Sequence, residues 1–359
     1  MTPAPQTLAV AAVLLVSMAT YALFAGADFG GGIWDLLAGD SRRGARPRAM
    51  IDESVTPVWE ANHVWLIFAL VLLWTAFPAA FAAVMTTLFV PLSLSLLGIV
   101  LRGVGFAFRH QVEGLRSKQL FGVVFAGSSL LTPFFLGTII GAVATGRVRL
   151  GTGAGGEFSA WTTTTALLTG SLFLATCAYI AATYLVGDAQ RRNDSEMVNY
   201  FRRRAIAAGI VTGALTTVTL FELSTSGPYV FHRLIGPALP LVALSLAAGT
   251  TALALLVAGR TRGLRPVATI AVASVVAGWA WGQYPWLLPT SLDLQAGSAP
   301  SATLLAELAT VGLAVAFVGP GFAILYWLQQ HDVLKETDTE GDLRRQLAAS
   351  SAAQGEQAN

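Results

Sequence analysis

Long apolar runs separated by short polar stretches set the pattern of this chain of 359 residues. The first run, residues 8–37, contains no charged side chain before Asp28. An α-helix rises ~1.5 Å per residue, and the hydrocarbon core of a bilayer is ~30 Å thick. The part of the run before Asp28 is therefore long enough to cross a membrane. This length places Asp28 near the membrane–water interface at the far end of the helix.

The remaining apolar runs predict further spans. Residues 61–101 carry no charge and are too numerous for one span, so Pro78 is predicted to divide them into two helices joined near Phe77. Six more spans are predicted at residues 119–146, 158–187, 205–221, 234–259, 266–292 and 308–330. The pattern thus predicts an all-α polytopic integral membrane protein with nine transmembrane helices. Residues 1–331 form one transmembrane domain in this prediction, and residues 332–359 form a polar, disordered cytoplasmic tail.

Basic residues predict the orientation of these helices. The stretches at residues 39–57, 102–118 and 191–204 are predicted to be polar loops, and they are rich in arginine. With the N-terminus outside, all but three of the 22 lysine and arginine residues fall on the cytoplasmic side, the exceptions being Arg147, Arg149 and Arg233. Cytoplasmic loops of membrane proteins carry this excess of positive charge. The C-terminus is accordingly predicted to be cytoplasmic.

Composition agrees with a membrane protein and excludes other classes. Hydrophobic residues make up 54% of the chain, charged residues 12%, and the mean hydropathy is +0.63. The net charge of +2 is explained by the loop bias and does not indicate nucleic-acid binding. The single cysteine, Cys177, has no partner for a disulfide or a metal site, so a buried packing role is predicted. The apolar N-terminus lacks the basic region of a signal peptide and is interpreted as a retained helix.

Acidic residues at membrane depth are the first candidates for chemistry. Asp28 precedes the glycines at residues 30–32, which allow another helix to approach closely. Glu60 lies three residues before His63, so the two share a helix face. Ionisable groups in a membrane are costly and usually face a protein interior or a wet path, which favours a proton route from the cytoplasm. The alternative is that each acid caps a helix, pairs with a loop arginine or lies among the headgroups.

His63 is the only histidine predicted to lie at membrane depth. A haem in a helical bundle needs one or two axial ligands, and no second membrane histidine is available. The favoured interpretation is that His63 hydrogen-bonds to Glu60 or Asn62. The neighbouring tryptophans, Trp59 and Trp65, are interpreted as interface anchors or packing residues.

Four motifs together resemble subunit II of the cytochrome bd quinol oxidases. They are Gly-Ala-Asp-Phe-Gly-Gly-Gly at residues 26–32, Pro-Val-Trp-Glu-Ala-Asn-His-Val-Trp-Leu-Ile at residues 57–67, Phe-Pro at residues 77–78 and Arg-Gly-Val-Gly-Phe at residues 102–106. They cover roughly the first third of the chain. Their order and spacing make the likeness specific.

The resemblance implies a haem-free subunit of a bacterial cell-membrane complex. Its partner, subunit I, is expected to carry haems b and d and the quinol-binding loop. The complex is expected to oxidise quinol, reduce oxygen to water and generate a proton gradient in the respiratory chain. This chain would then bind no cofactor or metal and would not be catalytic alone. Small single-helix accessory subunits, membrane lipid and quinone are further expected partners.

The resemblance also assigns roles to individual residues. Glu60 matches an acid used in proton delivery, and Asp28 matches the second acid of the glycine motif, so the expected proton path comprises Glu60, Asp28 and His63. Trp65 matches a tryptophan near the place where oxygen enters some members. Trp59, Asn62 and Arg102 are expected to support this site.

The sequence departs from some relatives at three positions in these motifs. Ala25 and Ala107 stand where some members have acids, and His63 stands where some have glutamine. These departures leave the detailed proton route open.

Two rival functions are consistent with the same pattern. A proton-coupled secondary transporter would also have buried acids and basic cytoplasmic loops, but it should show related halves or paired broken helices. A purely structural partner would seal haems from lipid without proton chemistry. Replacing Glu60 by glutamine would separate the structural role from the proton-path role, and co-purification with a haem-bearing partner would exclude the transporter.

Overall fold

The computed structural model of the protein describes residues 3–39, 43–111, 115–151 and 158–330. Almost all of these residues are helical. The helices are α1 (Pro5–Leu36), α2 (Ala45–Ala76), α3 (Pro78–Thr87), α4 (Phe89–Gln111), α5 (Leu115–Ala144), α6 (Thr164–Arg191), α7 (Ser195–Ser226), α8 (Pro228–Leu234), α9 (Leu239–Val257), α10 (Leu264–Gln283), α11 (Leu294–Gly297) and α12 (Ser301–Gln330). Two short antiparallel strands, β1 (Trp286–Leu288) and β2 (Leu292–Asp293), lie between α10 and α11.

Seven of the described helices are long and apolar enough to cross a membrane, and an eighth span arises if residues 61–76 and α3 are counted as one bent span. Residues 89–105 of α4 form a further, shorter apolar helix. The prediction of an all-α polytopic membrane protein is thereby confirmed. The predicted tail, residues 332–359, lies outside the described residues.

The predicted break at Pro78 is confirmed. Residues 61–76 of α2 and helix α3 meet at an angle of 116° with Phe77 between them. Proline has no amide hydrogen to donate into a preceding turn, and its ring clashes with that turn, so α2 ends and a new helix begins.

The eighth predicted span was too long. It was expected to reach residue 292, but α10 ends at Gln283. Pro285 follows two residues later, and the residue before a proline is disfavoured in the α-helical conformation. The apolar residues after Pro285 form the short strands instead.

Two predicted loops are largely helical. α2 begins at Ala45 and α7 begins at Ser195, each well before its apolar run. Asp194 caps α7, because its side chain accepts a hydrogen bond from the amide of Met197. Helices therefore extend beyond the apolar segments where polar side chains can hydrogen-bond to the free amide groups of the first turn.

The largest correction concerns Arg102. It was predicted to begin a polar loop, but it lies within α4 and is fully buried. α4 continues to Gln111 and α5 begins at Leu115, and residues 112–114 between them lie outside the described part of the chain. A buried arginine requires a partner, and that partner organises the candidate site.

The core centres on α1 and α6, which pack directly against each other. A Cβ atom at Gly30 would lie 2.0 Å from the carbonyl oxygen of Cys177, so only glycine permits this approach. Cys177 is fully buried, as predicted. The glycine run thus sets the distance between the two central helices.

Residues 3–304 form one compact unit. Residues 305–330, the greater part of α12, belong to a second unit. Large apolar side chains along this second segment, among them Leu313, Val315 and Phe317, are exposed. Such a surface is typical of a helix that meets lipid or another apolar helix.

Candidate functional site

Asp28 lies at the centre of a buried cluster contributed by four helices. Its own helix, α1, is buried continuously from Ala25 to Asp35. Asn62 of α2 and Arg102 of α4 donate to Asp28, and Ser129 of α5 bonds to Arg102 in turn. The glycines that follow Asp28 make room for them, since a Cβ atom at Gly32 would lie 2.0 Å from the hydroxyl of Ser129 and 2.8 Å from Nη1 of Arg102.

Arg102 is the main partner of Asp28. Its Nη2 donates to Oδ1 of Asp28 at 2.5 Å and to the Asp28 carbonyl at 2.7 Å, and its Nε donates to Oδ2 at 3.2 Å. Both side chains have an exposed fraction of 0%. This two-pronged geometry matches the planar guanidinium to the carboxylate and gives the strongest class of ion pair.

The rest of the guanidinium is also satisfied. Nη1 of Arg102 donates to the hydroxyl of Ser129, which in turn donates to the carbonyl of Phe125 at 2.7 Å. The rings of Phe125 and Phe29 lie 4.2 Å and 5.2 Å from the central carbon of the guanidinium. Aromatic faces attract cations, so these rings stabilise the charge and exclude water from it.

Asn62 connects α2 to the cluster. Its Nδ2 donates to Oδ2 of Asp28 at 3.2 Å, and the residue is only 1% exposed. Its Oδ1 is buried and makes no hydrogen bond to any described residue. One face of Asn62 is thus fixed on the carboxylate, while its acceptor oxygen stays available beside the ion pair.

The other predicted site residues follow Asn62 along α2. His63 and Trp65 are half-buried, and the indole of Trp65 packs edge-on against Phe68 with 6.2 Å between ring centroids. Glu60 and Trp59 lie within α2, but their side chains are outside the described part of the structure. The structure therefore brings Asp28, Asn62 and Arg102 together and places the backbone of Glu60 within one turn of Asn62 and His63.

A second layer of ion pairs lies outside the apolar segments. Nε of Arg48 lies 2.9 Å from Oδ1 of Asp35, and Arg46 donates to Asp194 at 2.9 Å. Arg46 also pairs with Glu196. The amide of Met197, followed by Arg46, lowers the pKa of Asp194 below its ordinary value of 3.8. These pairs tie the start of α2 to the end of α1 and to the start of α7.

Sequence reasoning missed the partners of Arg102, namely Ser129, Phe125 and Phe29. A signal was present, because Arg102 follows an uncharged run of about forty residues and is itself followed by apolar and glycine residues. An arginine inside such a run indicates a buried charge that needs an acid. Among the described residues, no group of three His, Cys, Asp or Glu side chains is placed to hold a metal ion.

Comparison with known proteins gives a family match over most of the chain. The family described as cytochrome bd terminal oxidase subunit II matches residues 6–329. Subunit 2 of the cytochrome bd ubiquinol oxidase of Bacillus subtilis is 32% identical over 114 residues, which are 32% of this chain and 33% of that protein. Subunit 2 of the cytochrome bd-I ubiquinol oxidase of Escherichia coli K12 is 31% identical over 134 residues, 37% of this chain and 34% of that protein.

The matched regions thus span about a third of the length of these two relatives. A solved structure extends the comparison of folds. The structure of bd oxidase from Geobacillus thermodenitrificans includes a chain that matches with a TM-score of 0.75 at 19% identity, covering 90% of this chain and 98% of that one.

Proposed function

The chain belongs to the cytochrome bd terminal oxidase subunit II family, and we propose that it is the haem-free subunit of a respiratory quinol:oxygen oxidoreductase. It is a multi-pass protein of a bacterial membrane. In this proposal it stabilises the haem-bearing subunit I and contributes a path for proton uptake from the cytoplasm. The observation that carries the proposal is the buried cluster around Asp28 and Arg102, built from motifs at residues 26–32, 57–67 and 102–106.

The proposed membrane arrangement has nine spans with the N-terminus outside. The 116° bend at Phe77 supports it, because a chain that turns so sharply does not continue across the bilayer in one direction. α3 then serves as the turn, and α4 crosses back as the third span. With α1, α2, α5, α6, α7, α9, α10 and α12, this arrangement accounts for nine helices in one transmembrane domain.

The stabilising role rests on the energetics of the cluster. Transferring an unpaired charge into a low-dielectric interior costs several kcal/mol, whereas a pair with complete hydrogen bonding offsets that cost. Asp28 and Arg102 achieve this only when α1, α2, α4 and α5 are all in place. The cluster thereby fixes the relative positions of four helices, which would give subunit I a defined surface.

The proposed proton path uses Glu60 and His63 of α2 and ends beside Asn62 and Asp28. Among the described residues, Asp28 supplies the only carboxylate bonded to the fully buried Arg102, and its negative charge balances that arginine. We therefore assign proton carrying to Glu60 and His63, and to Asp28 the role of a fixed counter-charge within the path. Asn62 lies between Glu60 and His63 in sequence, and its buried Oδ1 offers a hydrogen-bond acceptor at membrane depth.

Trp65 is proposed to line the place where oxygen enters. It lies five residues after Glu60 on α2, and its indole packs edge-on against Phe68. An aromatic, half-buried wall suits a small apolar molecule such as oxygen. Trp59 is proposed to support the neighbouring turn.

The cofactors of the complex are proposed to lie in the partner. A haem needs axial ligands such as His, Met or Cys, but the groups of the buried cluster are guanidinium, carboxylate, amide and hydroxyl, and they bond to one another. The cluster therefore does not fit a haem. Haems b and d are expected in subunit I, with quinol as the substrate of the complex. Small accessory subunits, lipid and quinone are further proposed partners.

A tagged form of this chain, extracted from membranes, tests the proposal. We expect it to co-purify with a haem-bearing integral protein, and the isolated chain to show no haem absorption. Glu60→Gln should leave the haem spectrum of the complex intact and lower quinol-driven oxygen consumption by about 10²-fold, as expected for loss of a proton-transfer group. Glu53→Gln, an exposed glutamate earlier on α2, is the matched control and should behave as wild type.

Normal oxygen consumption by Glu60→Gln would leave only the structural role. Haem bound to the isolated chain, or solute uptake by vesicles that contain this chain alone, would contradict the assignment as a non-redox subunit.

A further inference from the structure

A basic pocket lies where α6 ends and α10 begins. The cavity has a volume of about 240 Å³ and is lined by the last turn of α6 and by residues 261–266. Three of its lining residues, Arg191, Arg262 and Arg265, are arginines, and none is acidic. A second hollow of about 520 Å³ adjoins it, shares Thr261 and Arg262, and adds Arg260. The arginines therefore face a recess large enough for a small anionic group.

The positive charge of the pocket is only partly neutralised. Asp188 pairs with both Arg191 and Arg265, the latter at 2.8 Å. Arg262 is exposed and makes no ion pair with any described residue. Two of the three guanidinium groups thus share one carboxylate and the third has none among the described residues, so the excess positive charge favours an anion.

Arg265 is held in position before any ligand arrives. Its Nη2 donates to the carbonyl of Tyr184 at 2.5 Å, and its guanidinium carbon lies 5.3 Å from the centre of the Tyr184 ring. Gly187 makes this possible, since a Cβ atom there would lie 2.5 Å from Nε of Arg265. The pocket therefore has one fixed arginine and one, Arg262, that is free to close over a ligand.

The residues around the pocket favour a lipid over a free anion as its ligand. Charged residues line it, but the helices on its membrane side are apolar, and they expose Val257 of α9 and Ile270 of α10 by 69% and 44%. A ligand that lies here would meet arginine at one end and hydrocarbon-facing side chains at the other. A phospholipid has that division, whereas inorganic phosphate does not.

We propose that this pocket binds the phosphate headgroup of an anionic phospholipid, with Arg262 and Arg265 as its main contacts and the acyl chains along α9 and α10. Each basic residue near a membrane surface contributes about 1 kcal/mol to binding of anionic lipid, which corresponds to a factor of about fivefold in affinity. The proposal does not depend on the proton path or on the partner's cofactors.

Lipid binding to the purified complex tests the proposal. Native mass spectrometry in detergent would count bound phosphatidylglycerol or phosphatidylcholine for the wild type, Arg262→Gln and Arg149→Gln. Arg149 is the matched control, because it is exposed and lies outside both cavities. We expect selective retention of phosphatidylglycerol, about fivefold weaker in Arg262→Gln and unchanged in Arg149→Gln. Oxygen consumption, measured in parallel, separates this outcome from a failure of the proposed function.

Two results would overturn the proposal. One is equal retention of phosphatidylglycerol by Arg262→Gln and the wild type. The other is that millimolar inorganic phosphate displaces the lipid and raises the thermal unfolding midpoint of the complex as much as the lipid does. That result would identify a site for a free anion. Since Arg262 makes no ion pair with a described residue, its substitution should leave the fold intact.

Discussion

Arg102 of α4 and Asp28 of α1 form an ion pair from which solvent is fully excluded, with Nη2 of the arginine 2.5 Å from Oδ1 of the aspartate. The pair links segments 74 residues apart in sequence. Neither charge is stable in that environment without the other, so the pair makes the folding of the first and fourth helices interdependent.

Arg102→Met should strongly destabilise the protein. The variant leaves the Asp28 carboxylate buried without its cation, which typically costs about 3–5 kcal/mol. The double variant Asp28→Leu/Arg102→Met removes both charges and should recover much of that loss, since an apolar pair of similar volume is often tolerated. The thermal unfolding midpoint and the yield of the purified complex measure both effects. If Arg102→Met were as stable as the wild type, the stability of the protein would not depend on the Arg102–Asp28 ion pair.

Gly30→Ala should separate the two central helices. The added Cβ atom meets the backbone oxygen of Cys177 at 2.0 Å, and backbone cannot rotate away as a side chain can. Overpacking of this kind costs about 1–3 kcal/mol. Gly103→Ala on α4 is the matched control, because no atom lies within 4 Å of its added Cβ. We expect the control to be neutral or slightly more stable, as alanine favours helices. Equal unfolding midpoints for the two variants would contradict the close contact.

Asn62→Leu should weaken the attachment of α2 to the cluster. It removes the donor to Oδ2 of Asp28, and a hydrogen bond to a charged group contributes about 1.5–3 kcal/mol. Asn62→Asp has nearly the same shape as the wild type, but it puts a second carboxylate about as close to Asp28 as the amide of Asn62 is now. Repulsion between the two carboxylates should make Asn62→Asp less stable than Asn62→Leu. Urea or thermal unfolding of the complex ranks them. The reverse order would mean that Asn62 does not donate to Asp28.

The membrane fold could be predicted from the sequence because the apolar runs and Pro78 determine where helices form and end from neighbouring residues alone. Hydropathy, helix length and the steric demand of proline need no knowledge of distant residues. The ends of the helices were less predictable, as for α7, because hydropathy reports where a helix leaves the apolar layer and not where its hydrogen bonding stops.

The centre of the site was only half predictable. Asp28 could be selected as an acid at the end of an apolar run and Asn62 as a neighbour of His63, whereas Arg102 was selected only through the resemblance. The pattern of basic residues placed Arg102 in a loop, because counting basic residues treats every arginine as exposed. Its burial depends on Asp28 and Ser129, which lie in other helices. Such a pairing has no local signature beyond the apolar residues around Arg102.

The ion pair of Arg46 with Asp194 should contribute stability that depends on pH. The pKa of Asp194 is lowered, first by the amide of Met197 and then by Arg46, so its ionised form is favoured in the folded protein. That contribution is present above the ordinary pKa of 3.8 and is lost as the pH falls through the lower folded value.

Asp194→Asn isolates this charge, because asparagine caps a helix about as well as aspartate. The variant should have a lower unfolding midpoint than the wild type at pH 7, and the two midpoints should converge as the pH falls from 3.8 through the lower folded pKa of Asp194. High salt should also reduce the difference at pH 7, since the pair is solvent-accessible and is therefore screened. A difference that persists at low pH and in high salt would show that the side chain acts through its shape or its hydrogen bonds and not through its charge.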